Sequence, residues 1–249
     1  MSILIRSFLF YLYLISITMI AGLFCILFTA FTSAQQRYIL FRYWSGMNLL
    51  MLDKICNIQC RVLGMEHVIE CGAKPMILLS KHQSALETLV YPYLFPKTLC
   101  FVSKRELLWL PFFGWALASL KMITINRGDS DAARAAVAVQ GRERLALGQW
   151  IAIFPEGTRT PVGSYRPYRK GGFRLAIATN TDIIPVAQNA GNVWPRNSFR
   201  KYPGLVTVSI GPAISVKGKT EEQIQAEVEG WIEGEMHRID PAAYSLRTN

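Results

Sequence analysis

"WIAIFPEGTRTP", residues 150–161, sets an apolar run directly before a proline, a carboxylate, a glycine, an arginine and two threonines. Such a run has the length and composition of a buried strand. A strand that stops on a polar, glycine-containing loop fixes position, and the loop then presents side chains and N–H groups. The same pattern recurs outward in both directions, in "PMILLS" (75–80), "TLCFVSK" (98–104), "KMITINR" (121–127), "DIIPVAQN" (182–189) and "LVTVSIG" (205–211). Between these runs lie segments with helical apolar spacing. "SDAARAAVAVQGRERLALG" opens on Ser130 or Asp131 as an N-cap and closes on Gly148, and "GGFRLAIATN" and "EEQIQAEVEGWIEGEMHRI" follow the same period. Alternating strands and helices with nearly continuous apolar strands predict an α/β fold with a mostly parallel sheet flanked by helices. In such sheets ligands gather outside the carboxyl ends of the strands.

The N-terminus is of a different kind. From Ser7 to Gln36 the chain has no Asp, Glu, Lys or Arg, and Phe8 to Phe31 is almost wholly apolar. As a helix that stretch is about 36 Å long, enough for a hydrocarbon core of about 30 Å. It is too long for a signal-peptide core and no small-residue cleavage site follows, so a retained membrane helix is expected. "YILFRYWSGMNLLMLDKIC" then resumes the hydrophobicity with Arg42, Asp53 and Lys54 interspersed, the pattern of an amphipathic or interfacial helix. One span plus a surface helix and a shallow two-helix hairpin both satisfy it. The length of 249 residues accommodates one α/β domain with an appendage, giving membrane-anchoring helices over 1–60 and a domain over 61–249.

The net charge of +10 is concentrated beside the N-terminal segment and around residues 154–201. A basic surface beside an anchor fits anionic membrane lipid and phosphate-bearing substrates. No helix-turn-helix, finger or RNP pattern accompanies it, so no nucleic-acid partner is expected. The five cysteines are an odd number without CxxC spacing, which predicts neither a disulfide framework nor a metal site. Arg37, Arg42, Lys54 and Arg61 outweigh Arg6 across the apolar segment, and the positive-inside bias puts the domain on the cytoplasmic face of the inner membrane if the source is bacterial.

Chemistry-bearing residues follow the strands: "KHQSALET" after the first, Lys104 at the end of the second, "NRGDS" after the third, "PEGTR" after the fourth. His82 and Glu87 are five apart and cannot share a helical face, so His82 belongs on the loop or first turn with Glu87 reaching back. A lone histidine is usually structural. A carboxylate on one ring nitrogen changes that by setting the tautomer, and an imidazole, titrating near about 6.5, is a suitable base at neutral pH. Ser84 and Cys100 are conceivable acyl carriers, but there is no GxSxG elbow.

"HQSALE" resembles the H-x4-D block of the glycerolipid acyltransferase family, with Glu87 where most members carry Asp. "FPEGTR" resembles its third block, "ITINR" its second and "IIPVA", with Pro185, its fourth, so the likeness covers roughly residues 60–215 and is nearest the 1-acyl-glycerol-3-phosphate acyltransferase branch. The resemblance implies attack of a lysophosphatidic acid hydroxyl on the thioester of acyl-CoA or acyl carrier protein, with no cofactor, no metal and no acyl-enzyme. It implies His82 as general base and Glu87 as its orienting partner. Arg127, Gly157, Thr158 and Arg159 are the expected phosphate ligands, Glu156 would hydrogen-bond glycerol hydroxyls or hold an arginine, and Lys104 and Pro185 are possible substrate contacts.

Three further stretches have two readings each. "LLWLPFFGWALASL" (107–120) is a core helix or an acyl-chain wall, and "TPVGSYRPYRKGG" (160–172) is a solvated loop or, slightly preferred, a phosphate-side clamp. His67 and His237 are expected to be structural.

Overall fold

The computed structural model describes residues 1–244 except Arg127 and Asp129, with the side chains of Ser130 and Asp131 also left undescribed. The N-terminal apolar run is α1 (Ile3–Phe28), capped by Ser2, and α2 (Ala34–Met51) starts at a reciprocal capping box between Ser33 and Gln36. A π-helical turn (Leu52–Cys56) ends on Asn57 in the left-handed conformation and feeds β1 (Ile58–Leu63). There follow α3 (Met65–Glu70), β2 (Ile77–Ser80), α4 (Glu87–Leu94), β3 (Leu99–Lys104), a 3₁₀ turn (Arg105–Trp109), α5 (Phe113–Ser119) and β4 (Ile123–Ile125). The second half comprises α6 (Ser130–Ala146), β5 (Trp150–Ile153), α7 (Gly171–Thr179), β6 (Ile183–Gln188), β7 (Gly204–Ile210), α8 (Glu221–Ile239) and the short α9 (Pro241–Tyr244).

The strands form a seven-stranded sheet in the order β1-β7-β6-β2-β5-β3-β4. Its five strands from β6 to β4 are mutually parallel, while β7 runs antiparallel to β6 and carries β1 parallel to itself. Ile77, Leu78 and Leu79 of β2 have no exposed surface, nor do Ile183 and Ile184 of β6, because helices cover both faces. On one side α8 buries Ile224, Val228, Ile232 and Met236, one per helical turn, each fully enclosed. The expected α/β architecture is therefore present, with one element that the sequence reading did not contain: β1 is a strand, and the boundary expected between residues 60 and 61 falls inside it.

The N-terminal helices are built into the domain. Phe10 of α1 and Tyr38 of α2 belong to the same buried cluster as the sheet residues. Ser7 donates to the Ile3 carbonyl and accepts from the Lys201 backbone N–H, and Gly22 lies so close to Phe112 that a Cβ there would sit 2.5 Å from its carbonyl oxygen. Arg37 is buried, donating to the carbonyls of Ser119, Thr29 and Thr32, and so pins the α1–α2 turn to α5 rather than facing a lipid headgroup. The rest of α1 remains apolar and exposed at Leu4, Ile5, Phe8, Leu12, Ile15, Ile20 and Leu23. With 26 residues and a mean hydropathy of 2.2 over its most apolar window, it is long and apolar enough to cross a membrane.

Candidate active site

Because β2 and β5 are adjacent and parallel, the loops leaving their carboxyl ends meet. The Thr160 N–H donates to the His82 carbonyl at 2.7 Å, joining the two sequence blocks by backbone alone. His82 sits on the loop between β2 and α4, and Glu87 is the first residue of α4. Glu87 is buried, and its Oε1 accepts the backbone N–H groups of Gln83 at 2.8 Å and Ser84 at 2.7 Å and the amide of Gln188 at 2.5 Å. Three donors on one oxygen fix the position of the carboxylate. The other oxygen, Oε2, faces His82 Nδ1 at 3.4 Å; the pair lacks the alignment of a hydrogen bond, and neither atom has another partner in the structure. The imidazole lies flat on Phe154, ring centres 3.9 Å apart and planes 16° apart. The ring is thus stacked on one face and turns Nδ1 toward the Glu87 carboxylate.

His82 opens onto a cavity of about 560 Å³. Its apolar walls are drawn from α1 (Ala21, Gly22, Cys25), α2 (Phe41, Trp44) and the 107–120 segment (Leu107, Phe113, Leu117, Leu120). That segment is thus both packed against α1 and part of the cavity wall. The polar and basic part of the lining comprises Ser84, Thr88, Lys104, Thr158, Arg159, Arg196 and Asn197, with Thr18 and Ser103. Arg196, which the sequence reading did not single out, donates to the Arg159 carbonyl at 2.7 Å and shares its rim. "WPRNSF" carries no motif that would have flagged it; only the fold brings residue 196 beside residue 159.

Of the expected site residues, His82, Glu87, Lys104, Thr158 and Arg159 converge here, and three do not. Glu156 has no exposed surface and lies outside the lining: its oxygens take Lys81 Nζ at 2.8 Å, the His82 N–H at 2.9 Å and the Thr160 hydroxyl at 3.2 Å, so it holds a lysine and the histidine loop instead of a glycerol or an arginine. Gly157 spends its N–H on the Phe154 carbonyl, and its φ of +72° with Arg169 packed against it explains the glycine conformationally. Pro185 is buried within β6, away from the cavity. Arg127, and Ser130 or Asp131 as an N-cap, lie outside the described residues. The loop at 160–172 is fastened to α8 by Tyr165 to Glu229, Tyr168 to Glu233 and Lys170 to Glu221, and its residues are not part of the cavity lining. His67 faces Glu70 at 3.4 Å and His237 packs edge-on against Tyr244, both apart from the cavity lining.

Residues 59–189 match the family model described as Acyltransferase. The chain is 38% identical over 241 residues to the 1-acyl-sn-glycerol-3-phosphate acyltransferase of Pseudomonas aeruginosa, covering 95% of this chain and 92% of that one. It is 31% identical over 159 residues to the human 1-acyl-sn-glycerol-3-phosphate acyltransferase beta, covering 63% of this chain and 57% of the relative. Its fold is similar to the crystal structure of the 1-acyl-sn-glycerophosphate acyltransferase of Thermotoga maritima, with a TM-score of 0.78 and 20% identity across 95% of both chains. The blocks after β2 and β5 meet at one histidine–carboxylate pair, and a family match spans both of them; on these grounds the chain belongs to the acyltransferase family.

Proposed function

We propose that this enzyme transfers an acyl group from acyl-CoA or acyl carrier protein to the sn-2 hydroxyl of 1-acyl-glycerol-3-phosphate, giving phosphatidic acid. The observation that carries the proposal is the His82–Glu87 pair at the junction of an apolar cavity and a basic rim. Nε2 of His82 takes the hydroxyl proton as the oxygen attacks the thioester carbonyl; Glu87, anchored by loop N–H groups, orients the ring and stabilises the imidazolium. As the tetrahedral intermediate collapses, the C–S bond breaks and the imidazolium returns the proton to the leaving thiolate. No enzyme nucleophile is needed. Burial pushes the Cys100 thiol up to about 11 and it donates to the Lys121 carbonyl, while Ser84 Oγ caps the Leu86 N–H, so neither is activated for acylation. The acyl chain of a substrate fits the apolar walls, and Lys104, Arg159 and Arg196 suit the acceptor's phosphate.

Membrane association through the exposed face of α1, with the catalytic domain on the cytoplasmic side where acyl thioesters are made, belongs to the same proposal. An anionic surface would draw the basic rim toward the bilayer, from which a lysolipid enters directly. The test is a transfer assay with acyl-CoA and acyl carrier protein donors against lysophosphatidic acid and other lyso-acceptors. Phosphatidic acid is the expected product. Replacing Arg159 or Arg196 by Ala should raise KM for lysophosphatidic acid by roughly 10-fold or more while leaving KM for the donor nearly unchanged. Acylation of a phosphate-free acceptor in preference to lysophosphatidic acid, or equal effects on both KM values, would reject the assignment.

A further inference from the structure

Lys81 immediately precedes the histidine, yet the transfer step makes no use of it. Its side chain is fully buried and lies outside the cavity lining. A buried ammonium is costly unless each of its three donors is matched. Here all three are: Glu156 Oε1 at 2.8 Å, Glu233 Oε1 at 2.8 Å and the Ser164 carbonyl at 3.3 Å. Glu156 gives its other oxygen to the His82 N–H. The same Glu233 oxygen also accepts from the Tyr168 hydroxyl at 2.8 Å, a second anchor for the carboxylate. The polar path Glu233–Lys81–Glu156–His82 N–H is therefore unbroken, and it starts on α8, beyond residue 189 where the family match ends.

We propose that Glu233 is a positioning residue for acyl transfer, acting through Lys81 and Glu156 to hold the His82 backbone so that Nε2 meets the acceptor hydroxyl. The proposal rests on His82 being the general base. Its physical content is charge. An anionic acceptor holds an N–H roughly twice as strongly as a neutral one. Burial drives the Glu156 carboxyl upward from its ordinary range, and Lys81 is the largest influence opposing that. Around Glu156 the titratable and charged neighbours are Lys81 and His82 from the loop after β2, Tyr168 from the segment before α7, Glu233 from α8 and Tyr244 from α9. Glu233 supplies the second carboxylate that holds the Lys81 side chain in place between them.

The test compares Glu233→Gln, Glu233→Asp, Lys81→Met and, on the same helix, Glu235→Gln, whose carboxylate meets Ser209 and Arg238 among the described residues. Full-length enzyme is assayed for kcat, both KM values, the pH profile and thermal stability. Glu233→Gln should lower kcat by about 10- to 100-fold, the cost of a base displaced by a fraction of an ångström to an ångström. Both KM values should stay within about twofold, since the cavity is untouched. Glu233→Asp should recover part of the loss, and Glu235→Gln should keep the parent kcat. In Lys81→Met, Glu156 should take up a proton at higher pH, so the acid limb of the profile moves upward: activity is lost as pH falls through the raised value. If Lys81→Met does not fold, Glu233→Gln decides alone, because it leaves the Lys81–Glu156 pair in place. Parent kcat and pH profile in folded Glu233→Gln overturns the proposal. His82→Ala assayed alongside separates the two failures: an active His82→Ala removes the base and this proposal together, whereas an inactive one beside a fully active Glu233→Gln removes the positioning role alone.

Discussion

At the residue scale the histidine–carboxylate pair is the most exacting feature, because Glu87 serves two ends at once. One oxygen gathers the loop N–H groups and Gln188, while the other faces Nδ1 of His82. His82→Ala should reduce kcat by about 10²- to 10⁴-fold with little change in unfolding midpoint, as measured by turnover and thermal denaturation of the same preparation. Glu87→Gln should be nearly as damaging, since an amide cannot accept all three donors and carries no charge to stabilise an imidazolium. Glu87→Asp should fall between, being one methylene too short to keep both ends. The five-residue spacing of His82 and Glu87 was sufficient to predict that one reaches back to the other. The fate of Glu156 was not legible in the same way. A glutamate between a proline and a glycine at a strand end looks solvent-facing, and only the adjacency of β2 and β5 puts Lys81 beneath it.

At the scale of elements, α1 carries the sharpest consequence. Phe10 has no exposed surface and meets Trp194 edge-on with ring centres 5.8 Å apart, so the helix is fastened to the far half of the chain as well as to its neighbours in sequence. Phe10→Ala should destabilise the folded enzyme by about 3–5 kcal/mol, read from denaturant unfolding in detergent; a loss under about 1 kcal/mol would mean that α1 is not docked in solution as it is here. Strands and helices with strong periodicity were predictable, and α8 in particular runs over the predicted stretch. β1 was not, for a physical reason. "IQCRVL" exposes three of its residues at the sheet edge and mixes polar with apolar side chains, so it carries neither alternation nor a continuous apolar run. Its strand conformation comes from pairing with β7, far along the chain.

For the whole molecule, Lys201 joins the N-terminal helix to the rest. Its Nζ lies 3.8 Å from the centre of the Tyr11 ring and 4.2 Å from that of Trp194, and donates to the Phe199 carbonyl at 2.9 Å. Burial lowers its pKa from 10.5 to about 7. Between those values the unfolded chain holds a proton that the folded chain has released, so stability rises with pH across that window and the gain is lost as pH falls through about 7. The unfolding midpoint of the parent enzyme should therefore increase relative to that of Lys201→Met between pH about 7 and pH about 10; parallel pH dependence in the two would show that the aromatic faces hold the ammonium charged instead. The sequence by itself determined the class of fold, the apolar N-terminal helix and the reach of Glu87 back to His82, because periodicity, composition and short spacings are local quantities. Tertiary structure alone decided that α1 and α2 wall the cavity, that Arg196 joins its rim and that Glu156 turns inward to Lys81. Those outcomes depend on which strands become neighbours and which carboxylates burial leaves with a partner, and neither is written in any short stretch of chain.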